Sequence, residues 1–229
     1  MTKLIDLLDQ LKHRRTFGFF DDFDYYASGG RWTSVLGGAG AMSVGDNPQG
    51  ILTITPSGGS PALNDECYVR NTNAVFQFAA DQPIVFEALV QFSEANTNKA
   101  NVLVGLMDSV AAGALVNGSG GPKSSSSALV FYKKGNTNVW ACETVGGGTH
   151  SLTTTAPAGG ANYQTLTGQW QPISATQAEG RFFIDGLLVA KQLFTYSGAV
   201  AMQLCAGVKN GSASMETLNV DYLAGYQLR

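Results

Sequence analysis

The sequence predicts an all-β fold, a two-sheet antiparallel jelly-roll sandwich with a short amphipathic helix at the N-terminus. Three observations indicate this class: many short apolar runs that alternate with period two, turn residues between them, and no helical repeat after residue 15. Runs of this kind build sandwiches, because each strand buries alternate side chains. With 229 residues, the economical organisation is a helical arm over 1–16 and one sandwich over 17–229.

The arm is predicted from leucine spacing. Thr2 suits a helix N-cap, the leucines recur at helical intervals, and positive charge falls in the last turn, where it complements the helix dipole. A helix this short is marginal alone, so its apolar stripe is expected to dock, either on its own sandwich or on another subunit. The predicted interface residues are Leu4, Ile5, Leu8, Leu11, Arg14 and Arg15.

From Phe17 onward the pattern is that of strands. The clearest case places Ile84, Phe86 and Phe92 on one face with the residues between them on the other. The predicted strands are 17–23, 51–55, 67–70, 75–78, 84–92, 102–107, 128–132, 139–142, 170–173, 182–184, 187–193, 202–208 and 215–228. The apolar residues of the last strand, from Leu218 to Leu228, are expected to share one face along its whole length.

The connections carry their own signals. Asp185 and Gly186, set between two apolar runs, predict a two-residue hairpin, since a type I′ turn needs positive φ at both positions. The stretches 108–127 and 145–160 are rich in Gly, Ser, Thr and Ala and are expected to be long loops.

Three segments carry a family resemblance: FFDDFDYYASGGRWTSV at 19–35, RFFIDGLLVA at 181–190 and LNVDYLAGYQLR at 218–229. In order and spacing they resemble the opening strand, a late hairpin and the closing strand of the concanavalin A-like lectin and glucanase superfamily. That superfamily includes laminin-G-like domains and many phage virion modules. The resemblance implies a sandwich over about 17–229 in which the first and last strands lie side by side.

Catalytic patterns are missing. The bacterial β-glucanases that the resemblance includes use a Glu-x-Asp-x-x-Glu strand, because a retaining mechanism needs two carboxylates about 5 Å apart. No such strand occurs in the sequence, and its two histidines, His13 and His150, are not accompanied by a Gly-x-Ser-x-Gly elbow. We therefore expect no enzyme activity.

No cofactor is expected, although calcium has some candidate ligands. Asp21, Asp22 and Asp108 could offer oxygens to calcium, with strand-end acids in water as the favoured alternative. The three cysteines, Cys67, Cys142 and Cys205, lack metal-ligand spacing and make a poor disulfide framework, so they are expected to be small buried hydrophobic residues.

Composition limits the partners. Charged residues make up only 14% of the chain, the net charge is −3, and no basic patch extends beyond the arm, which argues against nucleic acid. No apolar run of roughly 18 residues suits a membrane span. The N-terminus lacks a signal-peptide pattern, which predicts synthesis in a host cytoplasm.

Three functions are compared on this basis. The favoured one is a virion structural protein of a tailed phage, of the capsid decoration, cement or head-fibre type, that contacts other virion proteins such as the major capsid protein. Its arm would anchor it or make it a homo-oligomer, for example a trimer. The alternative is a carbohydrate-binding module in which the two long loops form the site, with Trp140 and Tyr132 as candidate stacking rings. A β-glucan hydrolase is the third.

Overall fold

The structure is a computed structural model that describes residues 16–45, 50–118, 120–123, 127–146 and 149–229. The predicted N-terminal helix, with its interface residues Leu4, Ile5, Leu8, Leu11, Arg14 and Arg15, lies outside the described residues. No helix that could span a membrane occurs in the part of the chain that the structure describes.

The described residues form sixteen strands. In chain order they are β1 Thr16–Asp21, β2 Trp32–Gly37, β3 Ala41–Val44, β4 Leu52–Thr55, β5 Glu66–Asn71, β6 Phe76–Phe78, β7 Ile84–Glu94, β8 Ala100–Met107, β9 Ala128–Lys133, β10 Val139–Gly146, β11 Thr149–Pro157, β12 Gln164–Pro172, β13 Gln177–Ile184, β14 Leu187–Thr195, β15 Val200–Asn210 and β16 Glu216–Leu228.

These strands make two antiparallel sheets of eight strands each. Sheet A has the order β14-β13-β12-β7-β16-β4-β3, with β1 also paired to β16. Sheet B has the order β11-β10-β9-β8-β15-β5-β2, with β6 also paired to β15. The predicted all-β sandwich is thus confirmed.

The main core lies between the sheets and is rich in aromatic rings. From sheet A, the predicted face of β7, with Phe86 and Phe92, points inward. Phe131 of sheet B meets Phe182 of sheet A edge to face, with ring centroids 5.2 Å apart. Alternate residues along each strand enter this core, which is why the period-two pattern was readable in the sequence.

The first and last strands lie side by side, as the resemblance implies. β1 pairs with β16 from Thr16 opposite Leu228 to Asp21 opposite Leu223. Asp21 then accepts hydrogen bonds from the Trp32 indole at 2.8 Å and from the backbone N–H of Phe23 at 3.0 Å. The motif residues of 19–35 are therefore structural: they connect the opening strand to β2.

The predicted Asp185-Gly186 hairpin is confirmed. Both residues have positive φ, 51° and 78°, as a type I′ turn requires. The turn joins β13 to β14 at the edge of sheet A.

Two expectations were wrong. The last strand does not keep one face, because a β-bulge lies between Val220 and Tyr222. Before the bulge Val220 points into the core, and after it Leu223 does so while Tyr222 faces outward. A bulge depends on pairing with β7, which a local pattern does not contain.

The second error concerns 145–160, which is a strand for most of its length. β11 pairs with β10 from Gly146 opposite Thr149 to Val139 opposite Pro157. As the edge strand of sheet B it is rich in threonine, whose β-branched side chain suits a strand without adding an apolar signal. The edge strands β2 and β3 were not predicted for a similar reason, since Gly and Ser dilute their apolar pattern.

Candidate functional site

The outer face of sheet B is the first candidate, and it is covered by the chain itself. The link between β8 and β9 folds back over this face, and its residues Val110, Ala114 and Leu115 are buried there in a second apolar cluster. The sheet residues of this cluster include Tyr68, Leu103, Met107, Val130, Tyr132, Ala141, Val145 and Cys205. Strands β8, β9 and β10 are therefore buried on both faces, and the outer face carries no open groove where the link covers it.

Polar groups hold one end of this link in place. The Glu66 carboxylate accepts hydrogen bonds from the backbone N–H of Gly113 and from the Tyr68 hydroxyl, the latter at 2.9 Å. Lys209 donates to Glu66 at 3.2 Å and to the carbonyl of Leu115 at 2.9 Å. Burial, followed by the charge of Glu66, raises the pKa of Tyr68 well above its ordinary value, so this phenol stays a donor.

A second cluster of polar side chains lies toward the β11 edge of sheet B. Glu143 on β10 bonds His150 Nδ1 on β11, and the Tyr132 hydroxyl lies beside it. Burial and the adjacent carboxylate raise the pKa of Tyr132. Gly121 of the covering link approaches so closely that a Cβ there would lie 2.9 Å from the Tyr132 hydroxyl oxygen.

The two carboxylates do not form a glycosidase pair. Glu66 lies on β5 and Glu143 on β10, and three strands separate them in sheet B. The two strands are thus four inter-strand spacings apart, and at about 4.8 Å per spacing this is roughly 19 Å. Retaining enzymes need about 5 Å and inverting enzymes about 6.5–9.5 Å between the two groups.

The predicted sugar-stacking rings are not available. Trp140 and Tyr132 are each only 1% exposed. The Trp140 indole lies in the main core and donates to Gln164, and Tyr132 lies beneath the covering link. The prediction that these two rings form a carbohydrate-binding surface was therefore wrong. Trp140 fills the main core, and Tyr132 fills the second apolar cluster.

Two of the three candidate calcium ligands, Asp21 and Asp108, serve other roles. Asp21 bonds Trp32 and Arg31, and Asp108 accepts the backbone N–H of Ser127 at 2.9 Å. No group of three acidic, histidine or cysteine side chains suited to a metal ion occurs among the described residues. Cys67, Cys142 and Cys205 are all buried, and burial raises the pKa of both Cys67 and Cys205 to about 12.

A surface cavity of about 230 Å³ is the second candidate, here called the β1 pocket. It is lined by residues 17–19 of β1, residues 30 and 31 before β2, and residues 71–73 and 75 between β5 and β6. The pocket has no sequence motif, because its walls come from three distant segments. The local signal is limited to Phe17 and Phe19, which open the first predicted strand.

Comparisons with known proteins give the fold. No family model and no curated protein matches the chain. Solved structures do match: an endo-1,3-β-glucanase from Streptomyces sioyaensis, with 16% identity and a TM-score of 0.60, covers 94% of this chain and 98% of its own.

Two non-glucanase structures align over similar lengths. The carbohydrate recognition domain of Emp47p has 7% identity and a TM-score of 0.59 over 91% of this chain and 94% of its own. Arcelin-5, a lectin-like defence protein from Phaseolus vulgaris, has 7% identity and a TM-score of 0.57 over 94% and 100%. The chain therefore has the concanavalin A-like lectin and glucanase fold, which occurs in proteins of several activities.

Proposed function

We propose that this chain is a non-enzymatic structural protein of a tailed-phage virion, of the capsid decoration, cement or head-fibre type. The observation that carries the proposal is the closed outer face of sheet B: the chain fills with its own β8–β9 link a surface on which a polymer-binding groove could otherwise form. The sandwich then acts as a stable module that is displayed or packed against neighbours.

The state of the acidic side chains supports a non-enzymatic role. Glu66 and Glu143 are fixed by hydrogen bonds under the covering link, and Glu179 is held between Arg181 and Lys191. Glu87 accepts hydrogen bonds from Tyr222 and Thr167 on the outer face of sheet A. Each of these carboxylates has a structural partner, and Glu66 and Glu143 are too far apart to act as a pair.

The surface supports packing against other proteins. Only 14% of residues are charged, and the edge strand β14 exposes Leu187, Leu188 and Leu193 by 72%, 55% and 66%. Exposed leucines on an edge strand favour association unless another surface covers them. In this proposal the partners are virion proteins such as the major capsid protein, and the leucine stripe of residues 4–11 anchors or trimerises the chain.

Immuno-electron microscopy of particles produced from the genome that encodes the chain tests the proposal. We expect the sandwich at regular positions on the virion. We expect a variant that lacks residues 1–15, or one with Leu4→Asp and Leu8→Asp, to be lost from particles while its thermal unfolding is unchanged. Asp6→Ser and Gln10→Ser, in the same segment, serve as controls. Absence of the wild-type chain from purified particles overturns the virion role, and retention of the deletion variant overturns the anchor.

A carbohydrate-binding module is the second candidate, and the β1 pocket is the observation that favours it. The pocket combines phenylalanine rings with a guanidinium and an amide, a mixture typical of ligand sites. A broad glycan array separates this function from the first, and an assay for β-glucan hydrolysis tests the hydrolase. We expect no turnover in that assay.

A further inference from the structure

We infer that the β1 pocket binds a single sugar ring that carries a carboxylate, such as a terminal hexuronate. This inference specifies a ligand class for the second candidate function and rests on that function. It does not depend on how the chain attaches to a particle.

The apolar wall of the pocket is held rigidly. Phe17 and Phe19 of β1 both pack against Phe76 of β6, with ring centroids 5.7 and 5.8 Å apart. Phe76 is 1% exposed. Because β1 belongs to sheet A and β6 to sheet B, this contact joins the two sheets at the pocket. A wall that is already ordered lowers the entropy cost of binding a small ligand.

Two planar polar groups at the rim remain available. The Arg31 side chain is 52% exposed, and a single N–H group bonds Asp21 at 3.3 Å, which leaves its other donors free among the described residues. The guanidinium lies 5.3 Å from the centre of the Phe19 ring, which fixes its position. The exposed Asn73 amide makes no hydrogen bond within the described part of the chain, so it can both donate and accept.

The local charge favours an anion. Besides Arg31, the guanidinium of Arg229 lies 4.5 Å from the centre of the Phe17 ring, and Arg70 donates to the carbonyls of Asn71 and Thr72, two residues that line the pocket. Neither Arg70 nor Arg229 has an acidic side-chain partner among the described residues, and Arg31 shares one, Asp21. A guanidinium binds a carboxylate through two parallel hydrogen bonds, which a neutral hydroxyl cannot match.

Size restricts the ligand to one ring. Pockets for drug-sized molecules are about 300–1,000 Å³, and this one is about 230 Å³. The carboxylate would face Arg31, the hydroxyls would face Asn73, and the apolar face of the ring would lie on the Phe17 and Phe19 wall.

The test is a titration of the isotope-labelled full chain with methyl β-D-glucuronide, followed by NMR chemical shifts. We expect saturable shifts at Gly18, Arg31 and Asn73, and an affinity at least tenfold higher than for methyl β-D-glucoside. Arg31→Gln and Asn73→Ala should each weaken glucuronide binding at least fivefold, and Arg31→Lys should weaken it less than Arg31→Gln. Arg181→Gln, an arginine on β13 away from the pocket, should change it less than twofold, as should deletion of residues 1–15.

The outcomes separate the claims. No binding of any sugar on a broad array removes the second candidate function. Binding of neutral sugars with no preference for the glucuronide overturns the ligand class alone. Equal affinity for sodium acetate shows a simple anion site and overturns the sugar, and shifts confined to residues outside the pocket overturn the location.

Discussion

The ammonium group of Lys209 lies 3.2 Å from a carboxylate oxygen of Glu66, and both side chains are buried beneath the β8–β9 link. Lys209 also bonds the carbonyl of Leu115, and Glu66 accepts the N–H of Gly113, so the pair fastens the link to sheet B at two points. Two buried charges are tolerated here because each has additional hydrogen-bond partners. The outer face of sheet B is therefore closed by specific bonds as well as by apolar packing.

The first prediction concerns removal of one member of this pair. Lys209→Met should lower the free energy of unfolding by about 3–5 kcal/mol, because it leaves the buried Glu66 carboxylate without its cation. Denaturant unfolding followed by tryptophan fluorescence measures this change. The double variant Glu66→Gln, Lys209→Met should recover part of the loss, since it removes the unpaired charge.

An ion pair whose lysine is exposed provides the control for that experiment. Lys191, with a side chain 57% exposed, lies 2.7 Å from Glu179, and Lys191→Met should cost less than about 1 kcal/mol. Equal losses for the two lysine variants would contradict the view that the Lys209 pair fastens the link.

The second prediction is a pH dependence from Glu216, whose side chain is fully buried. Burial raises the pKa of this carboxyl from 4.5 to about 7, while the N–H of Ala95 and the charge of Lys133 oppose the rise. Between these two pH values the folded chain keeps a proton that the unfolded chain releases. Stability from this group is therefore complete below pH 4.5 and is lost as the pH rises through about 7, by up to about 3 kcal/mol.

Glu216→Gln should remove this slope. The readout is the difference between the free energies of unfolding at pH 5 and at pH 8. The cost of burying the amide that Glu216→Gln introduces is the same at both pH values, so it cancels in this difference. Asp24→Asn, at an exposed carboxyl, should leave the difference between the two pH values as it is in the wild type. A wild-type slope that persists in Glu216→Gln would assign the pH dependence to another group.

The parts of the fold that the sequence predicts are those set by neighbouring residues. The inward face of β7 follows from alternation, and the Asp185-Gly186 turn follows from its need for positive φ. The bulge beside Asp221 does not follow, because it depends on the register between β16 and β7. Edge strands such as β11 are hard to predict for a different reason. Their side chains alternate between the two faces of the sheet, but many of them are threonines, which add no apolar signal.

The closed face does have a signal in the sequence. Residues 102–107 are apolar at nearly every position, and such continuous runs indicate a strand that is buried on both faces. That observation predicts a cover over sheet B and argues against open stacking rings at Tyr132. The β1 pocket has no comparable signal, since its chemistry depends on which distant segments meet.

The third prediction separates two adjacent acids in the opening motif. Asp21→Ala should cost about 1–3 kcal/mol, because the indole N–H of Trp32, a residue 3% exposed, loses its acceptor and remains buried. The Asp22 side chain makes no hydrogen bond within the described residues, and Asp22→Ala should change stability by no more than about 0.5 kcal/mol. Thermal unfolding of both variants measures the contrast, and equal effects would mean that the Asp21–Trp32 bond does not stabilise the fold.

The fourth prediction concerns the thiols. Cys67, Cys142 and Cys205 are buried, and burial raises the pKa of Cys67 and of Cys205 to about 12, so almost no thiolate is present at these two residues at pH 8. Ellman's reagent should therefore label the native chain only as fast as it unfolds, and should label three thiols per chain in denaturant. In the Lys209→Met variant, the labelling rate of Cys205, which lies under the β8–β9 link, should rise more than the labelling rate of Cys67, which lies in the main core. Peptide mapping of the labelled chain distinguishes the two, and equal acceleration at both sites would indicate global rather than local opening.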